Sequence, residues 1–157
     1  FGTKEQIWRK AVDHACRQLG SPEVVSYLQG TAGASIQEQL GQALVTTLLE
    51  LSKCPQLLQL VNSEGFEDSE RLRYIFANFP IDTAALKNLL DKGVEQGVFK
   101  AIDLPVLFLL IMHGGGAVMC MRPLGSYIGL KADRSQDDLH QQARLIVDAL
   151  MNGLVIK

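Results

Sequence analysis

The chain has 157 residues, 47% of them hydrophobic and 20% charged, which suits one folded domain with a substantial core and excludes a disordered chain. Its formal net charge of −2 excludes a basic nucleic-acid footprint on these residues. The odd number of cysteines, Cys16, Cys54 and Cys120, has no CxxC spacing, which argues for reduced thiols in a cytoplasmic protein over a disulfide framework or zinc site.

Taken in chain order, the elements are all helical. Thr3-x-x-Gln6 opens a first helix from Thr3 to Leu19, with Ile7, Ala11 and Ala15 on one face and Trp8 and Val12 beside them. Gly20-Ser21-Pro22 stops it. Residues 20–34 read as a loop, with a short helical turn around Val24–Leu28. Ser35-x-x-Glu38 opens a long helix to about Ser52, striped by Leu40, Leu44, Leu48 and Leu51. Pro55 starts a short helix through Val61, and Asp68 is the expected N-cap of the next. Pro80 breaks that one near Asn78–Phe79, and Asp82 begins another that ends at Gly97.

Leu104–Met121 carries only His113 as a clearly polar side chain, between Pro105 and Pro123. The segment is near the lower limit for a membrane span, but its three central glycines favour a helix buried all round. Leu124–Arg134 reads as a loop. Ser135 caps a last helix through Asn152, with Leu139, Ala143, Ile146, Val147 and Leu150 on one face, Leu145 and Ala149 on a second strip, and Gly153 as its C′ residue. No segment sustains strict alternation, so almost no sheet is expected.

Three places resemble the TetR-like (tetracycline-repressor-like) transcriptional regulators. Phe1-Gly2-Thr3-Lys4-Glu5 ahead of an amphipathic helix resembles the exit of their helix-turn-helix. Gly93-Val94-Glu95-Gln96-Gly97-Val98-Phe99-Lys100-x-x-Asp103 is similar to their joint between the seventh and eighth helices. Asp148-Ala149-Leu150-Met151-Asn152-Gly153-Leu154 looks like their terminal helix.

The resemblance implies an all-α, TetR-like C-terminal domain of about six helices. Residues 1–19 would be the connecting helix from a missing helix-turn-helix, and 20–157 the ligand-binding and dimerisation domain. A homodimer would form through a four-helix bundle of the last two long helices. Phe108, Ile111, Gly115, Val118, Leu139, Gln142, Ala143, Leu145, Ile146, Ala149, Leu150 and Gly153 are the expected contacts. Operator DNA would be bound by the missing N-terminal part. A small, mainly apolar effector would enter a cavity bounded by Leu44, Leu48, Leu58, Tyr74, Phe79, Leu90, Leu109, Met112 and His113, releasing the operator by moving the first helix. The alternative is a helical dimerisation or protein-interaction module with no effector.

Enzymatic readings fare poorly. His113-Gly114-Gly115-Gly116 matches an esterase oxyanion motif, but the chain has no Gly-x-Ser-x-Gly elbow. His113 and Cys120 share a helix face but lie about 10.5 Å apart along the axis, too far for proton transfer. The histidines share no ligand spacing with carboxylates, so neither a metal nor a cofactor is expected. His113 in a buried helix would have to find a hydrogen bond or orient an effector.

Overall fold

The computed structural model describes residues 2–30 and 33–157. Phe1 of the opening motif, and Thr31 and Ala32 of the expected loop, lie outside the described residues. Among the described residues the architecture is all-helical: nine helical rods, and one isolated bridge, Phe99 to Val155, in place of any sheet.

Helix α1 (Lys4–Gln18) begins with the expected capping box, Gln6 N donating to Thr3 Oγ1 at 3.2 Å and Thr3 N to Gln6 Oε1 at 2.8 Å. Its buried face is Val12, Ala15 and Cys16, continued by Leu19. Ile7, expected on the core face, is 60% exposed, and Ala11 is exposed beside it. Residues 22–29 form a complete helix, α2 (Pro22–Gln29), where only a turn was expected. Ser21 accepts from Val24 N, Pro22 presets the first turn, and Gly30 closes the helix at φ 75°, so each terminus has its own stop signal.

Helix α3 (Ile36–Lys53) starts at the Ser35–Glu38 capping box and forms the central rod, with α2 along one side. Helix α4 (Pro55–Glu64) follows after Cys54. The cap of α5 (Glu70–Ala77) is Ser69, one residue after the expected Asp68; its hydroxyl accepts from Leu72 N, while Asp68 pairs with Arg73. Asp82 caps α6 (Thr83–Glu95) by accepting from Ala85 N at 2.9 Å.

The joint after α6 gives Gly93, Gly97, Phe99 and Lys100 of the glycine-rich motif a physical role. Gly97 takes φ 69°, and the Gly93 carbonyl accepts from Val98 N and Phe99 N. Phe99, 1% exposed, lays its ring where a Cβ on Gly93 would stand. Lys100 donates its amide to Leu154 O and its ammonium to Gly153 O, so the joint caps the end of the chain's last helix.

Helix α7 (Leu104–Leu109), a π-helical turn (Leu110–Gly115) and α8 (Gly116–Cys120) run on without a break. Gly116 N donates to Ile111 O, five residues back, which defines the wide turn. The rod is not buried all round. Leu107, Ile111, Met112 and Met119 face the core, while Val106, Leu109 and Leu110 are about half exposed and His113 and Gly114 stand in solvent. A side lacking polar residues is therefore an unpartnered apolar face as well as a core.

The expected loop at 124–134 is partly helical, overlapping α9 (Arg122–Tyr127), with Pro123 in its first turn. Arg134 then donates to Val118 O and Met119 O, satisfying carbonyls at the end of α8. Helix α10 (Gln136–Leu154) runs through Gly153, the expected stop, because Lys100 takes the last carbonyls and Ile156 N bonds to Val98 O. Helices α2, α6, α8 and α10 all pack on α3, whose Leu40, Leu48 and Leu51 are fully buried. No helix among the described residues is long and apolar enough to cross a membrane.

Candidate functional site

A cavity of about 30 Å³ lies between α2, α3, α6 and the start of the 104–120 rod. Val24 and Leu28 of α2 and Ala43, Leu44 and Thr47 of α3 form one wall. Ile81, Leu86, Leu107, Phe108, Ile111 and Met112 form the other. Thr47 supplies the one hydroxyl, already donating to Ala43 O at 2.8 Å. A space this small and apolar holds about one water-sized guest and gives water few partners. It is suited to a neutral, apolar occupant.

Of the nine residues expected to bound the pocket, Leu44 and Met112 line it. Leu48, Leu58 and Leu90 are buried in the core beside it, Leu48 against Gly115 and Leu58 against Gly116. Phe79 sits one ring away, 5.7 Å from Phe76 and edge-on to Phe108 at 5.8 Å. Tyr74 belongs to a different cluster and donates to Asp13 at 2.8 Å. Leu109 and His113 point outward, so His113 needs no buried partner and cannot orient a guest in this cavity.

The expected interface residues divide in the same way. Ile111 lines the cavity, and Gly115, Leu139 and Ala143 are buried within the protomer. Phe108 joins the aromatic cluster, Gln142 accepts from Arg134 at 2.6 Å, and Val118, Ile146 and Leu150 are half-buried. Leu145, Ala149 and Gly153 are exposed, Leu145 by 70%. A Cβ on Gly115 would stand 2.7 Å from Leu48 Cδ2 and 3.3 Å from Ile146 Cγ2, so the π-helical turn wedges between α3 and α10. The 104–120 rod and α10 therefore touch at this turn.

Several residues of this region were not singled out from sequence. Glu50 is 7% exposed, and its Oε2 accepts from Gly20 N at 3.0 Å and Ser21 N at 3.2 Å, tying the end of α1 to α3. It also borders a second void of about 10 Å³ that shares Val24, Leu28, Thr47 and Ile81 with the larger cavity. An acid between Leu48 and Leu51 on a leucine stripe was the available signal.

The other half of α1 is held by a ladder of side chains. Arg71 lies over Trp8 at 4.9 Å, Trp8 packs on Tyr74 at 6.0 Å, and Arg9 covers Tyr74 at 4.6 Å. Glu5 accepts from both arginines.

Two of the three thiols, Cys16 and Cys120, are held protonated by their surroundings. Burial pushes Cys16 up, with the negative charge of Asp13 adding to it, and pushes Cys120 up to about 11. Cys120 Sγ donates to Leu51 O at 3.3 Å, the same carbonyl that accepts from Cys54 N. Among the described residues, no three His, Cys, Asp or Glu side chains converge as a metal centre would require. Comparisons with models of known protein families, with curated proteins and with solved structures give no match for this chain.

Proposed function

We propose that the chain is the effector-binding and dimerising half of a ligand-responsive transcriptional regulator of the TetR-like kind, a repressor that releases operator DNA when a small apolar molecule binds. The observation that carries this reading is the apolar cavity walled by α2, α3, α6 and the 104–120 rod, one layer from the residues that anchor α1. The guest is neutral, because the lining offers it one hydroxyl and no charge. A guest larger than a few heavy atoms has to part Ile81 and Phe108 from α2. Dimerisation is supported by the exposed Val106, Leu109, Leu110 and Leu145, with Gly114 and Ala149 beside them, on two adjoining helices.

Two measurements test this. Benzene or a small alkylbenzene at a hundredfold excess over its Kd should add about 2.7 kcal/mol of stability, a rise of several degrees in Tm. Leu145→Arg should convert the dimer to monomer in sedimentation equilibrium with Tm measured alongside. Leu145 suits this better than Ile146, which also packs against the protomer's own core.

A second reading, a helical dimerisation module with no small effector, is favoured by the size of the cavity, which falls well short of the several hundred Å³ usual for ligand sites. No Tm response to any apolar probe, with the dimer intact, would establish it.

A further inference from the structure

Glu50 is a buried carboxylate with no cation paired to it among the described residues; its recorded bonds run from the two amides that follow α1. Both land on one oxygen, Oε2. Burying such a group is costly unless those bonds hold. Its place on α3 is one turn beyond Thr47, and Thr47 walls both voids.

A second path leads from the cavity to the same point. Ile81 lines both voids, and its neighbour Pro80 packs on Gly20, with Cβ 3.0 Å from where a Cβ on Gly20 would stand. Gly20, at φ 92°, is thus held between Pro80 on one side and the Glu50 carboxylate on the other.

We propose that Glu50 is the latch coupling the apolar cavity to α1: an occupant that displaces Thr47 and Ile81 moves Pro80 against Gly20 and releases Gly20 and Ser21 from the carboxylate. The inference rests on the effector reading above and supplies its regulation. Glu50 is a positioning residue that never touches the guest. With the latch released, the C-terminal end of α1 keeps the packing of Ala15, Cys16 and Leu19 but loses its polar tie to α3, while the Arg71–Trp8–Tyr74 ladder still holds the other half, so the helix can pivot about the ladder.

Xenon is the probe, applied under pressure to the full chain. The readouts are methyl shifts at Leu44 and Met112 and hydrogen exchange at the Gly20 and Ser21 amides. The expected result is shifted methyls with exchange at both amides rising at least tenfold, while the Leu139 amide is unchanged. Glu50→Gln, which keeps an acceptor oxygen, should behave like the wild type. Glu50→Ala should show fast exchange at Gly20 and Ser21 before xenon is added and no further rise with it. Shifted methyls with Gly20 and Ser21 still protected would overturn the latch and leave the cavity reading standing, as would an equal rise at Leu139, which marks general loosening. Unshifted methyls would overturn both.

Discussion

Tyr74 donates its phenolic proton to Asp13 at 2.8 Å, joining α5 to α1, while Arg9 lies over the same ring. The hydrogen bond to Asp13 is the main cause holding the phenol above its ordinary 10.0, with burial adding to it. A raised value means that the contribution to stability is complete below pH 10.0 and is lost as pH rises beyond it. Ultraviolet titration should show a tyrosine ionising above 10.0. Asp13→Asn should bring that tyrosine back toward 10.0, and an unchanged curve would contradict the pairing.

Gly93 and Gly97 are both required, for different reasons. Gly93→Ala drives a methyl into the Phe99 ring, which is buried and cannot withdraw, at a cost of about 3 kcal/mol. Gly97→Ala meets no atom within 4 Å and loses only about 1–2 kcal/mol, from its positive φ. Urea denaturation of the two variants should therefore rank Gly93→Ala as the worse, with Gly97→Asn close to wild type.

The neighbouring glycines of the 104–120 rod make a cleaner pair. Alanine at 114 or 115 gains the same helical propensity, about 1 kcal/mol. At Gly114 the added methyl meets nothing within 4 Å, whereas at Gly115 it presses on Leu48 and Ile146. Gly114→Ala should stabilise the fold, and Gly115→Ala should lie about 1–3 kcal/mol below it. Equal midpoints would mean that the wedge between α3 and α10 is wrong.

Acid should loosen the start of α10. The Asp138 carboxylate is held down to about 2, first by the Lys131 ammonium at 2.9 Å and then by the Ser135 amide. A depressed value means stability that is present above the ordinary 3.8 and is lost as pH falls toward about 2. Carboxyl NMR should find Asp138 titrating well below 3.8, and Lys131→Ala should raise it.

Cys120 is partly exposed yet should resist alkylation. With its thiol at about 11, little thiolate exists at pH 8. Iodoacetamide should modify it slowly in native protein and quickly in urea; fast native labelling would remove the buried, hydrogen-bonded thiol from the picture.

What the chain reveals before folding is its local chemistry. Thr3 with Gln6 and Ser35 with Glu38 lie three residues apart, so each capping box is written within one turn, and Pro80 and Gly97 act on their own backbone. The short helices were harder to read because Pro22 and Pro123, which read as stops, stand in the first turn of a new helix. The candidate site was legible only at Leu44 and Met112, since an apolar stripe does not say which of its members border a void. Glu50 meeting Gly20 and Arg71 meeting Trp8 are long-range pairings that no period encodes. His113 was misplaced because an apolar helix was equated with an interior one.

Leu107 and Met119 are both completely shielded from solvent, though twelve positions separate them. On an ordinary α-helix those twelve steps would leave them about 120° apart around the axis. The extra residue absorbed by the wide turn at Leu110–Gly115 cuts that offset to about 20°. This one-residue insertion thus acts as a phase corrector: it keeps a single inward meridian from Leu107 to Met119, and its mirror is the unbroken outward meridian from Val106 through Leu110 and Gly114. Deleting Gly114 would remove the inserted residue and leave Leu107 and Met119 eleven ordinary helical steps apart, about 20° around the axis, so the two halves of the rod would stay in register without the wide turn.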